Sequence, residues 1–313
     1  MGSKSNLALQ KFTRFEPGMV HTDFPGIDLL QLEAGSLQGW VFSAMIGPYH
    51  VNAGSFNRTL LYEGHYNPDR LHIGFILNPG YSAVVQAHEY DAGTVSVDRG
   101  AVPMHEIFPA NMAWVNIYAP ENTVMEGVQY SKKQLQATPH FVITDCREEL
   151  VPLAKLINEF VGGSNDDQNE NESQKEDRLR ATLHNLLSSR FDARMYEEPF
   201  ATGNLFRMHL LEEAHKLARK HKHKPLSLGE ICKAAGMKQR TVQKYFREIY
   251  GMGPTEYFRV RRLNGARTDL LNGATSISKV ALRWEFPHLG RFAGSYKTLF
   301  GESPKTTKDR VRL

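Results

Sequence analysis

The first part of the chain, from about residue 20 to residue 145, alternates short apolar runs with clusters of turn-forming residues. The runs WVFSAMI, LHIGFIL and MAWVNIYA are rich in branched and aromatic residues, and clusters such as NPGY and DRGAVP separate them. Short strands at this spacing are typical of a β-sandwich or barrel. The pattern therefore predicts a β-rich domain.

The period changes at Arg147, after which apolar residues recur at helical spacing. This spacing holds in REELVPLAKLINEFV and again in RLRATLHNLLSSRF, so a pair of helices is predicted within 147–191. Residues 162–177, between them, are polar and acidic and bury too little apolar surface to offset ordering, which predicts a disordered loop. The pair either serves dimerisation or covers the sheet, and the pattern favours neither.

The remaining sequence is almost entirely helical in pattern. Residues 192–203 are predicted to link a first domain, 1–191, to a helical domain, 204–313. Two segments about 50 residues apart in the second domain each predict a helix-turn-helix unit, with one long helix between them. The fold class is accordingly α+β, with a β-rich N-terminal domain and an all-α C-terminal domain.

The first of these units begins at Ser227, whose spacing from Glu230 predicts a capping box, and its first helix ends at Gly236. The second helix spans 237–251 and buries one apolar face. The opposite face of this helix is polar and basic. A polar face of this kind is most often merely solvated, but the tight glycine turn and the basic surroundings favour base reading in the major groove. The predicted base-reading residues are Arg240, Gln243, Lys244 and Arg247, and the predicted phosphate contacts are Lys238 and Thr241.

The connecting helix, predicted within 253–273, has Pro254 at its start and Gly273 past its end. Its length of about 27 Å follows from about 1.5 Å per residue. Successive major-groove faces lie about 34 Å apart, so such a helix suits two reading heads on one side of DNA.

The second unit, 275–301, has a polar face with fewer groups able to read bases. Arg291 is its predicted base-reading residue. Lys297 is expected to meet a phosphate, which positions the protein without reading sequence. His288 either caps the helix, the role that the pattern favours, or contacts a phosphate. The predicted phosphate contacts are Lys279, His288 and Lys297.

Charge separates the two halves of the chain. The net charge of +4 hides 23 basic and 9 acidic residues in 204–313, a difference of +14, against −10 in the rest. A strongly basic half indicates a nucleic-acid partner. The two cysteines, Cys146 and Cys232, form no disulfide framework or zinc motif, and no apolar stretch approaches the ~20 residues of a membrane helix. A cytoplasmic protein without membrane contact is expected.

The first half offers few candidate chemical groups. Its histidines are scattered without H-x-H or H-E-x-x-H spacing, so neither a metal site nor a cofactor is predicted. Four residues are candidates for an effector pocket, although each is more often ordinary strand packing. They are Trp40, His72, Trp114 and Tyr118.

The stretch from Leu226 to Pro304 resembles the AraC/XylS family of transcriptional regulators. The matching elements are the Ala-Gly turn at 235–236, Arg-x-Val-x-Lys-x-Phe at 240–246, Gly-x-x-Pro-x-x-Tyr at 251–257, and Phe-Gly-x-x-Pro at 300–304. The second turn departs from the family's Gly-Phe, because Glu285 precedes Phe286. If this position has positive φ, Glu285 is strained there.

Several expectations follow from that resemblance. The first half is expected to be a ligand-sensing or dimerising domain, often a cupin-like barrel. The protein is expected to be an activator that contacts RNA polymerase at promoter DNA. A small-molecule effector and a homodimer are further expectations. The final helices are most similar to regulators of ethanolamine-utilisation operons. The alternatives are an enzyme domain fused to a DNA-binding module, which would need clustered metal ligands or a reactive cysteine, and a non-specific architectural DNA binder.

Overall fold

The computed structural model describes residues 8–12, 28–100, 103–126, 128, 140–162, 170–190, 195–196 and 202–310. Its β-rich part contains two sheets whose described pairings are antiparallel. In spatial order, the larger sheet contains β1 (Ala8–Phe12), β3 (Gly39–Ile46), β4 (Tyr49–Phe56), β11 (Ala113–Ala119), β6 (Leu71–Ile76), β9 (Val95–Asp98), β12 (His140–Ile143) and β13 (Met195–Tyr196). The smaller contains β2 (Asp28–Gln31), β5 (Leu60–His65), β10 (Pro103–Phe108), β7 (Ser82–Val85) and β8 (His88–Asp91).

The larger sheet is buried on both faces, because side chains alternate between faces along a strand. On β11, Trp114 and Tyr118 belong to the core between the two sheets. Val115 and Ile117 belong to a second core on the opposite face. The predicted β-rich N-terminal region is therefore confirmed as two facing sheets.

Helices cover the outer face of the larger sheet. They are α1 (Glu121–Val124), α2 (Arg147–Gly162) and α3 (Glu172–Arg190). Leu153 and Ile157 of α2 and Leu183 of α3 are fully or almost fully buried against it. The helical pair therefore covers the sheet, which is one of the two roles that the pattern left open.

The predicted disordered loop and the predicted linker differ from the structure in part, and parts of both lie outside the described residues. The loop predicted to be disordered ran to residue 177, but α3 begins at Glu172, so residues 172–177 are helical. Residues 163–169 lie outside the described residues. Within the predicted linker 192–203, Met195 and Tyr196 pair with β12, and the next helix begins at Thr202.

The C-terminal part is helical, as predicted. Its helices are α4 (Thr202–Lys220), α5 (Leu228–Ala235), α6 (Gln239–Tyr250), α7 (Pro254–Leu271), α8 (Ile277–Arg283), α9 (Leu289–Phe300) and α10 (Pro304–Arg310). They share a core that also takes in Leu30, Leu61 and Ile107 from the smaller sheet. The smaller sheet thus lies between the larger sheet and the helices. None of the described helices is both long and apolar enough to span a bilayer.

Strand β2 and helix α7 are joined by direct hydrogen bonds. The backbone N–H of Gln31 donates to Asn264 Oδ1 at 2.9 Å, and Asn264 Nδ2 donates to the Gln31 carbonyl at 3.0 Å. Gln31 Nε2 also donates to the Leu299 carbonyl on α9 at 2.7 Å. Because Gln31 and Asn264 are buried, these bonds orient α7 and α9 relative to the sheet.

Candidate nucleic-acid interface

Helix α5 and the turn after it have the geometry that the sequence predicts. Ser227 Oγ accepts from the backbone N–H of Glu230 at 3.2 Å, and the backbone N–H of Ser227 donates to Glu230 Oε2 at 2.8 Å. Gly236 ends the helix with φ 64°, in the left-handed region that favours glycine. This turn orients α6 against α5.

Helix α6 separates buried and exposed side chains cleanly. Val242 and Phe246 are fully buried, and Ile249 is nearly so. On the opposite side Arg240, Lys244 and Arg247 are exposed, and Gln243 is half-buried. The four predicted base-reading residues therefore share one accessible face.

One acidic residue lies beside this face. Glu248 Oε1 is 3.7 Å from Lys244 Nζ and Glu248 Oε2 accepts from Arg207 Nη2 at 2.8 Å. The Arg207 guanidinium also lies 5.5 Å from the centre of the Tyr245 ring. Arg207 thus adds a positive charge at the edge of α6. Arg207 lies outside both predicted helix-turn-helix units, so no motif in the sequence marks it.

The arginines of α7 behave differently, because carboxylates, carbonyls and rings of the protein surround them. Arg261 pairs with Glu63 of β5, and Arg267 Nη1 lies 2.9 Å from Glu302 Oε1. The Arg262 guanidinium lies 4.5 Å from the centre of the Phe286 ring, and its burial lowers the pKa. These three side chains hold the connector in place through contacts within the protein.

Helices α8 and α9 repeat the arrangement of α5 and α6. Ser276 Oγ caps α8 by accepting from the backbone N–H of Lys279 at 3.3 Å. Helix α9 has 12 residues, as α6 does, and each helix ends at a glycine with φ near 70°, Gly251 and Gly301. With a constant offset of 50 positions, Lys297 occupies the place of Arg247.

The polar face of α9 has fewer side chains than that of α6. Arg291 and Lys297 are exposed, whereas Gly294 stands where α6 has Lys244. Phe292 and Tyr296 are buried on the opposite side. Arg291 is therefore accessible, and its role in base reading stays a prediction.

Four of the five predicted phosphate contacts lie near helix starts, whereas Lys297 lies in the last turn of α9. Lys238 and His288 occupy the N-cap positions of α6 and α9, and neither side chain caps its helix. Lys238, Lys279 and His288 are exposed, and Thr241 is half-buried. The free amides at a helix N-terminus favour anions, so these positions suit phosphate.

The turn between α8 and α9 contains the departure noted at Glu285. Its φ is 54°, so a residue other than glycine occupies the left-handed region. Arg262 Nη1 donates to the carbonyls of Trp284 and Glu285 at 3.0 and 3.1 Å. These bonds hold the turn in a conformation that glycine adopts at lower cost.

Glu285→Gly is expected to raise the free energy of unfolding by about 0.5–1 kcal/mol, measured by urea denaturation. The relieved backbone strain is worth about 1–2 kcal/mol, and the extra freedom of glycine in the unfolded chain offsets about 0.4–1 kcal/mol of it. Glu285→Gln keeps the positive φ and removes the charge, so its stability is expected to stay within about 0.5 kcal/mol of the parent. A glycine variant less stable than the glutamine variant would contradict the explanation by backbone strain at this position.

The four effector-pocket candidates do not come together. Trp114, Tyr118 and His72 meet between the sheets, where the His72 ring lies 4.9 Å from that of Tyr118. Trp40 packs against the core on the other face of the larger sheet, because strand alternation turns it away. Sequence spacing alone does not reveal which faces of separate strands coincide.

His72 is the centre of a buried polar network. Its Nδ1 is 2.9 Å from Asp98 Oδ2 and its Nε2 is 3.0 Å from Asn116 Oδ1. Burial alone would lower the pKa of His72, but the Asp98 and Glu106 carboxylates outweigh burial and raise it. The adjoining cavity, lined in part by Trp114 and Asn116, measures about 20 Å³. That volume holds about one water molecule.

Comparisons with known proteins agree with the helical geometry. Residues 231–310 match the family model described as a helix-turn-helix domain. The probable thc operon regulatory protein of Rhodococcus erythropolis is 32% identical over 117 residues, 36% of this chain and 34% of that protein. The XylDLEGF operon transcriptional activator 2 of Pseudomonas putida is 40% identical over 85 residues, 26% of this chain and 54% of that protein.

Among solved structures, an AraC-type transcriptional regulator from Chromobacterium violaceum is 27% identical and covers 33% of this chain and 91% of that chain, with a TM-score of 0.31. The AraC-like transcriptional activator CuxR is 15% identical and covers 78% and 88%, with a TM-score of 0.40. The matches to the two curated relatives span about a third and about a half of the length of those proteins. Residues 231–310 form a helix-turn-helix domain. The two curated relatives matched over this region are named as an operon regulatory protein and an operon transcriptional activator.

Proposed function

We propose that this protein is a sequence-specific DNA-binding transcription factor that activates promoters in response to an effector. The exposed face of α6 carries this proposal. Arg240, Lys244 and Arg247 project from a helix whose opposite side is anchored by fully buried Val242 and Phe246. A rigidly held basic helix of 12 residues suits the major groove, where arginine and lysine pair with guanine and glutamine with adenine.

The repeat at an offset of 50 residues supports two helix-turn-helix units, α5–α6 and α8–α9. Helix α7 connects them with 18 residues, or about 27 Å at about 1.5 Å per residue. We infer that the two second helices enter successive major grooves on one face of the duplex. The first unit reads most of the bases, and the second mainly holds phosphates, since α9 has Gly294 where α6 has Lys244.

The experiment compares Gln243→Ala with Lys297→Ala in binding to a selected target duplex and to random duplex at fixed salt. Gln243→Ala is expected to weaken target binding about 5–150-fold, the equivalent of about 1–3 kcal/mol, with little change on random DNA. Lys297→Ala is expected to weaken both alike, because a phosphate contact carries no sequence information.

The matched control is Lys155→Ala, which removes an exposed positive charge from α2, far along the chain from the helical region. Its binding to both duplexes is expected to match the parent protein. Equal losses on target and random DNA for Gln243→Ala would contradict direct base reading. They would favour the architectural binder instead, whose affinity varies with salt and hardly with sequence.

The remaining assignments extend this proposal. We infer that the protein works in the cytoplasm, contacts RNA polymerase beside promoter DNA and acts as a homodimer. The narrower resemblance to ethanolamine-utilisation regulators stays a prediction. An effector site beside His72, Trp114 and Tyr118 also stays a prediction, since the cavity there has to enlarge to admit more than a water molecule. An enzymatic function has no specific observation in its favour.

A further inference from the structure

Three metal-binding side chains meet where the smaller sheet packs against the helices. Glu63 lies on β5, His105 on β10 and His215 on α4. Each offers one ligand atom, and the three atoms lie within 4.8 Å of one another. His215 Nε2 is 2.6 Å from Glu63 Oε1, and the two imidazole rings are 4.9 Å apart at their centres.

The groups around the cluster hold the ligands from behind. Arg261 bonds Glu63 through Oε2, while Oε1 faces His215 Nε2 at 2.6 Å and also accepts from the Tyr257 hydroxyl at 3.3 Å. The Tyr250 hydroxyl is 2.9 Å from His105 Nε2, while His105 Nδ1 is buried and has no hydrogen-bond partner among the described residues. Carboxylate and imidazole ligands of metal sites are commonly fixed by such outer hydrogen bonds.

We propose that Glu63, His105 and His215 bind one divalent first-row transition-metal ion, with Zn²⁺ as the reference ion. Two imidazoles and one carboxylate are a ligand set that Zn²⁺ and its neighbours accept, with a fourth position filled by water or another group. Ligand atoms at about 2.0–2.1 Å from a tetrahedral ion lie roughly 3.3 Å apart. Side-chain rotations that move the ligand atoms by about 1 Å bring the three atoms to that spacing.

Such an ion would join the β-rich part to the helical part. Glu63 and His105 come from the smaller sheet, whereas His215 comes from α4, which packs against α5 of the first helix pair. The bound metal therefore stabilises the packing of the two parts against each other. This inference concerns metal binding itself and does not rest on the proposed function.

The test uses the full chain without an affinity tag, stripped of metal by dialysis against a chelator. Zn²⁺ binding is measured by calorimetry, and Co²⁺ is added as a spectroscopic probe. One equivalent per chain is expected, with visible Co²⁺ absorption typical of four or five ligands. His215→Ala and His105→Ala are each expected to weaken Zn²⁺ binding at least tenfold.

His209→Ala is the matched control, because His209 is exposed on the same helix and outside the cluster. Its Zn²⁺ affinity is expected to equal that of the parent chain. Equal affinity in His215→Ala and the parent would overturn the proposal. A second readout needs no variant: excess Zn²⁺ is expected to raise the unfolding midpoint of the parent chain, since the ion binds the folded site. An unmoved midpoint would also overturn the proposal.

Discussion

Replacing Arg261 with methionine is expected to lower the free energy of unfolding by about 3 kcal/mol. The Arg261 and Glu63 side chains are 17% and 11% exposed, so their ion pair is largely removed from water. Without the guanidinium, the Glu63 carboxylate keeps His215 and the more distant Tyr257 hydroxyl as its polar partners among the described residues. Breaking one half of such a pair costs more than removing both halves, because a desolvated charge stays behind.

The double variant Glu63→Gln with Arg261→Met provides the control, and urea denaturation of the full chain is the measurement. It is expected to recover most of the loss, since no uncompensated charge remains. The pH dependence of the free energy of unfolding of the parent protein gives a second readout. Because the folded pKa of Glu63 is lowered, its stabilising contribution is complete above the unfolded value near 4.5 and is lost as pH falls below it. A double variant as unstable as Arg261→Met alone would contradict the explanation.

Gly265→Ala is expected to lower the free energy of unfolding by about 1–2 kcal/mol, although alanine favours helices. Gly265 lies in the middle of α7, and a Cβ atom there would overlap the six-membered ring of Trp284. Trp284 is 3% exposed and its Nε1 donates to Asp269 at 2.8 Å, so the ring has little room to move. Overpacking of this kind costs about 1–3 kcal/mol or more, which exceeds the helix gain of about 1 kcal/mol.

Gly294→Ala supplies the comparison for this variant. Gly294 is also in a helix interior, but nothing lies within 4 Å of a Cβ built there. Alanine is therefore expected to stabilise the protein by up to about 1 kcal/mol in the same urea experiment. If both variants shifted the midpoint in the same direction, the contact between Gly265 and Trp284 would not explain the glycine on α7.

Local features of the helical region were predictable because short-range chemistry sets them. The sequence predicts a helix over 237–251, and the structure has one from Gln239 to Tyr250. Its limits follow from an extended residue before it, Lys238, and a left-handed glycine after it, Gly251. The capping box of Ser227 is equally local, since it depends on residues within one turn, whereas the turn at Glu285 is also held by Arg262 from α7.

Contacts between distant segments were not predictable from the pattern. The sequence alone does not distinguish the arginines of α7 from unpaired basic residues, yet Arg261 pairs with Glu63, 198 residues earlier in the chain. The cluster of Glu63, His105 and His215 has no motif for the same reason, because its members come from three separate elements. Trp40 shows the corresponding error in the sheet, where the face of a strand depends on a packing that its own sequence does not contain.

The firm attachment of α7 has a consequence for the nucleic acid. Asn264 bonds to β2, Arg261 to β5, and Gly265 packs against the Trp284 ring, so the connector is held at several points along its length. On the proposed function, a connector held in this way fixes the spacing of the two second helices, so the duplex bends wherever that spacing differs from the groove spacing of about 34 Å. Flexible pyrimidine–purine steps between the two contacted sites would then favour binding, although no side chain touches them.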